Sequence, residues 1–176
     1  MPGPAFTRGD TVSLHPIEEE DHEFIQRGRN HPDVRVPLTD TRIRTLTDVA
    51  ESVSEDDYRF LICIGDEDGD PQPVGEVAFA YVAQEAERGA LMYWIHPDHR
   101  GNGYVTEASE LFLEYAFGEC GFHKVTARVL VSNEASARTL EKLGFQREGT
   151  RRESSIIDGE YEDMYTYGLL DHEWLD

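Results

Sequence analysis

The stretch HPDHRGNGYVTEA, residues His96–Ala108, decides how the rest of this chain is read. It sets Arg100-Gly101-Asn102-Gly103 directly after the apolar run ALMYWI (Ala90–Ile95) and just before SELFLEYAF (Ser109–Phe117). The apolar run reads as a strand. Beyond the glycines, Val105, Ala108, Leu111, Phe112, Tyr115 and Ala116 recur at three- and four-residue spacing, with Glu107, Glu110 and Glu114 opposite. That pattern predicts an amphipathic helix packed on a sheet. A strand, a nearly bare backbone and a helix N-terminus, in that order, present successive amide N–H groups to an anion. A helix end contributes about 0.3–2 kcal/mol per charge there. The spacing is not that of a nucleotide phosphate loop, which needs Gly-Lys-Ser/Thr. Nor is it a dinucleotide fingerprint, because G-x-G-x-x-G fails at Thr106. A glycine-rich turn that binds nothing is the competing reading at this point.

Outward from this stretch, VGEVAFAYV (Val74–Val82) and ALMYWIHP are separated by QEAERG and predict a hairpin. Upstream, YRFLICIG (Tyr58–Gly65) is a buried-strand run closed by the turn composition DEDGDPQP. TVSLHPI (Thr11–Ile17) reads as a first strand, and EEEDHEFIQRGRN (Glu18–Asn30) as a helix with acids in its first turn. Leu46–Val53 is a further helix candidate. Downstream, KVTARVLV (Lys124–Val131) alternates, with Val125, Ala127, Val129 and Val131 on one face. SNEASARTLEKLGF begins on a capping residue, Ser132 or Asn133, and closes on Gly144. The segment from Gln146 to Leu170 predicts two strands joined at Asp158-Gly159. Strand, helices, three strands, helix, strand, helix and two strands make one mixed α/β domain over residues 1–176, with its core at about 10–174.

Composition narrows the function. The chain holds 36 acidic and 16 basic residues, a net charge of −20. Only Lys124 and Lys142 are lysines. Nucleic acid is excluded as a partner, because phosphate contacts need a basic surface. A disordered acidic chain is excluded by the apolar periodicity. Two readings of the charge remain: adaptation of a halophilic protein to a salt-rich cytoplasm, or attraction of cationic substrates. The acids are spread along the chain as far as Asp176 rather than clustered, which favours salt adaptation. No apolar run approaches the roughly 20 residues that span a bilayer, and the N-terminus lacks a signal-peptide pattern. Two cysteines, Cys63 and Cys120, are too few for a disulfide framework, so a cytoplasmic location is expected.

Taken in order, these motifs resemble the GNAT superfamily of acyl-CoA-dependent N-acetyltransferases. The family core Gln/Arg-x-x-Gly-x-Gly/Ala is matched by Arg100-Gly101-Asn102-Gly103-Tyr104, with Val105 in the last place. That valine departs from the pattern by adding bulk, yet it keeps a backbone N–H. NEASARTLEKLGF matches the second family motif. The opening LHPIEEEDHEFI, the core YWIHPDHRGNGY and the closing DGEYEDMYTYGLLDHEW are similar to the RimJ/RimL-type branch, which acetylates protein N-termini and related amines. The resemblance runs from about Val12 to Trp174. It implies a mostly antiparallel twisted sheet of about seven strands, helices on both faces, and a splayed strand pair that binds acetyl-CoA.

The resemblance also distributes roles. Trp94, Ile95 and His96 would offer backbone groups to the pantetheine arm, one N–H facing the thioester oxygen; such a donor is worth roughly 2.7–4 kcal/mol of barrier. Arg100, Gly101, Asn102, Gly103, Val105 and Thr106 would hold the pyrophosphate, and Asn133 the pantetheine. Many relatives carry a tyrosine proton donor at the position of Leu140, which cannot donate. In the RimJ/RimL-type branch a serine one turn into that helix takes the part, and Ser136 matches it. Asn133 as a simple helix cap, and Ser136 as a first-turn polar residue, stand beside these roles. The strand before the glycine loop, ALMYW, lacks the glutamate base common among relatives. Glu76, Tyr93, Glu153, Asp158 and Glu160 are the candidates, acting through water; Ser136 and Tyr93 form the expected catalytic pair. The H-x-x-H of His96 and His99 reads as a turn into the loop, so no metal is expected. The expected partners are acetyl-CoA and an amine: a protein N-terminus, polyamine, aminoglycoside or small amino metabolite, with a homodimer as the common assembly. A non-catalytic acyl-CoA-binding module and an acidic interaction domain are the competing classes.

Overall fold

The computed structural model describes residues 2–55 and 58–175. Eight strands, β1 (Thr7–Arg8), β2 (Val12–His15), β3 (Arg59–Ile64), β4 (Gln72–Ala83), β5 (Arg88–Ile95), β6 (Lys124–Leu130), β7 (Gln146–Ile157) and β8 (Glu160–Leu170), form one sheet in the order β1-β2-β3-β4-β5-β6-β8-β7. Every pairing is antiparallel except β5 with β6. The count exceeds the expected seven by β1, which at two residues is too short to show an alternation. The β7–β8 turn has Asp158 at φ 51° and Gly159 at φ 82°, the two left-handed residues that a two-residue hairpin turn requires.

Helices cover both faces. On one lie α4 (Tyr104–Leu113) and α5 (Glu134–Lys142); on the other α1 (His22–Asn30), the short α2 (Pro32–Arg35) and α3 (Leu46–Glu55); α6 (Asp171–Leu175) closes the chain. The main core joins Phe60, Ile62, Val77 and Phe79 to Phe112 of α4 and Leu140 of α5. A smaller one sets Ile25 of α1 and Val49 of α3 on Leu61 and Cys63 of β3. Cover on both faces explains why β3 reads as an unbroken apolar run. Burial pushes the Cys63 thiol up to about 12.

The stripe expected on α4 is the one that packs: Ala108, Phe112 and Ala116 are fully buried, with Val105, Leu111 and Tyr115 half-buried against the core. Leu113 at the end of α4 is buried too, and a wider helical turn over Glu114–Glu119 carries Phe117 inward. Glu107, expected in solvent, instead reaches the β1–β2 turn. It accepts hydrogen bonds from the Thr11 hydroxyl, the Thr11 N–H (2.8 Å) and the Val12 N–H (3.3 Å). Partial burial pushes its pKa up, but those bonds prevail and lower it. Asn133 caps α5 by accepting from the Ser136 N–H, 3.3 Å. The helix ends where Gly144 (φ 96°) turns left-handed, with Phe145 N–H on the Leu140 carbonyl and Gly144 N–H on that of Glu141. Among the described residues no helix is long and apolar enough to cross a membrane.

Candidate active site

The site begins where one strand pair separates. β5 and β6 pair only at Arg88–Lys124, Gly89–Val125 and Ala90–Thr126. Beyond that point β5 continues through Leu91–Ile95 and β6 through Ala127–Leu130 with no ladder between them. On the far side of β5, β4 bulges at the same level: Phe79 faces Leu91 and Tyr81 faces Ala90, leaving Ala80 unpaired. A bulge bends its strand and increases the local twist, here at the mouth of the fork. β4 and β5 remain close beyond it, because a Cβ on Gly75 would meet the Trp94 carbonyl oxygen at 2.1 Å.

The glycine loop lies at the end of β5. Gly101 (φ 80°) and Gly103 (φ 77°) are both left-handed, and nothing lies within 4 Å of where either Cβ would be. Gly103 begins α4 without a side-chain cap, so the first-turn N–H groups of Tyr104, Val105 and Thr106 have no side-chain partner there. This arrangement suits a pyrophosphate. Arg100 serves the loop differently from a plain anion clamp. Its Nη2 donates to the Asp33 carbonyl at 2.6 Å and its Nε to the Ile95 carbonyl at 3.3 Å, tying α2 and β5 to the loop. The Asn102 amide likewise donates to the His99 and Arg100 carbonyls. His96 caps its own turn, Nδ1 accepting from the Asp98 N–H, and no metal-holding group of three or more donors occurs among the described residues.

Ser136 and Tyr93 face each other across the fork, hydroxyl to hydroxyl at 2.7 Å. Burial pushes the Tyr93 phenol up to about 12, outweighing the opposing bond from Ser136. Trp94, one residue on, points to the opposite face. Its indole stacks on Phe24 and lies against Gly28 of α1, and its Nε1 donates to Glu76 Oε2 at 2.6 Å. Glu76 is wholly buried, also held by Arg59, with Arg29 at 3.7 Å. Its carboxylate is engaged on every side and anchors Trp94. The other base candidates sit elsewhere: Glu153, Asp158 and Glu160 are exposed on the β7–β8 hairpin and do not line the fork.

The fork opens into a cleft of about 1100 Å³ that takes in Trp94, Ile95, the glycine loop, Asn133 and Ser136. A second cleft of about 770 Å³ lies under α1 and α3, lined by Arg29, Asp40, Arg42, Arg44 and Met92 among others. The two share Leu38, Thr39, Ala80, Tyr81 and Met92. A thioester threaded through the fork from the loop would therefore meet a molecule entering from the other face. Asp40 braces that second wall. Burial raises its pKa, but bonds from Arg44 (2.6 Å) and Arg29 (3.0 Å) prevail and lower it. The α2–α3 segment that supplies Leu38 and Thr39 carried no sequence signal of a site. Leucine and threonine report neither charge nor metal chemistry.

A family model for the acetyltransferase (GNAT) domain matches residues 11–146. The chain belongs to the GNAT acetyltransferase family. It is similar to the probable N-acetyltransferase YjcK of Bacillus subtilis, 30% identical over 93% of this chain and 96% of that one. It is also similar to the spermidine N(1)-acetyltransferase of Escherichia coli, at 24% identity over 94% of this chain and 89% of the relative. Among solved structures, the Vibrio cholerae spermidine N-acetyltransferase in complex with CoA and spermine shares the fold, with a TM-score of 0.87 at 21% identity over 96% of this chain and all of that one. The chain is thus an acyl-CoA-dependent acetyltransferase, and its splayed strands and bare helix start fit the donor on which that family depends.

Proposed function

We propose that this acetyltransferase moves the acetyl group of acetyl-CoA directly onto a primary amine, in the manner of the RimJ/RimL-type branch. The observation that carries the reading is the Ser136–Tyr93 hydroxyl pair inside the fork, 2.7 Å apart, opposite a strand edge that no neighbour pairs. The free edge of Leu91–Ile95 would take the pantetheine arm as a surrogate strand, and the N–H groups of Gly101 to Thr106 the pyrophosphate. A backbone N–H near Trp94 or Ile95 would polarise the thioester carbonyl. The neutral amine nitrogen then forms the new C–N bond as the C–S bond breaks, and sulfur departs with the electron pair.

That sulfur needs a proton. With a pKa of about 12, Tyr93 stays protonated at neutral pH. At 2.7 Å either hydroxyl of the pair can donate; in the proposed step Tyr93 gives its hydrogen bond to Ser136 Oγ, which leaves the serine hydrogen free to turn toward sulfur. Ser136 delivers its proton to sulfur and regains one from the newly acylated nitrogen. No carboxylate flanks the pair among the described residues: of the two lining the larger cleft, Glu148 is held by Lys124 at 2.7 Å, and Asp33 belongs to α2 beside the loop. The amine thus loses its first proton to water, and the rate should follow the acceptor's own pKa. The test is an amine panel read by release of free CoA thiol. Acceptor-dependent release supports transfer; acetyl-CoA binding with no release on any amine would make the domain a binding module instead.

A further inference from the structure

Arginine is unevenly partnered in this acidic chain. On the outer surface Arg8, Arg27, Arg138 and Arg147 each have a carboxylate, from Asp66, Glu23, Glu134 and Glu141 respectively. Four arginines line the larger cleft: Arg88, Arg100, Arg128 and Arg151. Arg100 is held by backbone carbonyls. Arg88, Arg128 and Arg151 make no ion pair with any carboxylate among the described residues. Arg35, which donates to the Asn30 carbonyl at 3.4 Å, and Arg152 also make no ion pair among the described residues, but it is Arg88, Arg128 and Arg151 that gather along one cavity, in a chain with 36 acids to 16 bases.

Their place in the sheet says which side of the reaction they serve. Along β6, Val125, Ala127 and Val129 turn into the main core with Leu140 of α5 and Leu143 just after it. Side chains alternate along a strand, so Thr126 and Arg128 lie on the opposite face. Arg128 pairs across β8 with Thr166, and Arg151 of β7 with Met164, two residues along. Antiparallel partners share a face, so Arg128, Thr166, Met164 and Arg151 lie on one surface, away from α5. The glycine loop instead sits at the far end of β5, at the start of α4. These guanidinium groups therefore flank the fork from the side at which the second substrate enters.

We propose that the acceptor is a small primary amine that also carries an anionic group, a carboxylate or phosphate, and that Arg128 and Arg151, with Arg88, receive that group. The proposal rests on acetyl transfer to an amine, and it names the class of amine. A guanidinium offers a planar fork of N–H donors that matches both anions. A polyamine would bring its second charge against the same three cations, so the spermidine activity of the relatives does not carry over. The dense negative surface disfavours anions at long range, and unpaired arginines inside the cleft are what would admit one.

Matched acceptors test this in the full-length protein: β-alanine against β-alaninamide, phosphoethanolamine against ethanolamine, and spermidine. The anionic member of a pair should have kcat/KM about 10- to 100-fold higher, the range of one charge-assisted bond. Which pair shows it tells carboxylate from phosphate. Arg128→Gln and Arg151→Gln, both at exposed positions, should abolish the preference while acetyl-CoA affinity by calorimetry changes less than about threefold. Preference for the neutral amines or spermidine overturns the proposal. So does a tenfold or greater loss of acetyl-CoA affinity in the variants (about 1.4 kcal/mol), which would assign the arginines to the donor. If no amine is acetylated, β-alanine and phosphoethanolamine are titrated into the CoA-saturated protein. Binding that the arginine variants lose upholds the anion site while refuting transfer; no binding of either sinks the site.

Discussion

Replacing Ser136 by alanine separates a proton shuttle from a structural serine. Among the described residues the serine hydroxyl is the one side-chain partner of the Tyr93 phenol, at 2.7 Å; the remaining contact, to the Ser136 carbonyl, is 3.5 Å and marginal. Loss of the hydroxyl therefore has two effects of different kinds. Leaving the buried phenol short of a partner should cost about 1–3 kcal/mol of stability, or roughly 2–12 °C of melting temperature for a chain of this size. Loss of the proton for sulfur should lower kcat by about 10²–10⁴, with acetyl-CoA affinity held within about threefold. Tyr93→Phe should keep part of the rate, because the serine hydrogen remains. If the two hydroxyls act as one unit, the double variant should be no slower than Ser136→Ala alone. The assay is thiol release at saturating acetyl-CoA, with calorimetry for the donor and thermal melts for the fold. A fall in kcat below threefold, or fully additive effects in the double variant, would refute the shuttle. Tyr93 leaves a second signature. Its pKa is raised from 10.0 to about 12, so between those values the unfolded chain ionises while the folded one does not. Stability should fall by about 3 kcal/mol across that window, and Tyr93→Phe should flatten that part of the decline.

Gly103→Glu has room for its side chain but must adopt φ 77°, costing about 1–2 kcal/mol, and sets a carboxylate where the pyrophosphate belongs. Calorimetry on the folded variant should detect no acetyl-CoA binding, and unchanged affinity would remove the loop from the donor site. Gly28→Ala should destabilise, although alanine favours helices by about 1 kcal/mol. Its Cβ would meet the Trp94 ring at 2.1 Å, an overpacking that costs about 1–3 kcal/mol, so urea denaturation showing equal or greater stability would contradict the packing described. The −20 charge predicts that the melting temperature rises steadily from about 0.1 M to about 2 M KCl, as the screening length contracts toward about 3 Å. Exposed pairs such as Arg138–Glu134 would by themselves give the opposite trend, and a flat or falling midpoint would exclude salt adaptation.

Features whose cause lies within a few residues could be read from the chain before folding. The α4 stripe, the Asn133 and Gly144 caps of α5 and the Asp158-Gly159 turn are all enforced by local backbone geometry, and each is found where the residues put it. The glycine loop belongs with them, since two left-handed residues before a helix need no distant partner. Strand β1 and helix α2 escaped because two and four residues are too few to carry a period. Long-range facts escaped for a different reason. That β5 and β6 pair for three residues and then part depends on the Ala80 bulge in β4 and on the packing of both sheet faces. Glu107 looked like a solvated helix residue until the β1–β2 turn came within reach, and Glu76 looked available until Trp94, Arg59 and Arg29 closed around it. Residue type limits what a side chain can do, and its neighbours decide whether it does so. Arg88, Arg128 and Arg151 stand on three separate strands, and only the sheet's strand order makes them walls of one cleft.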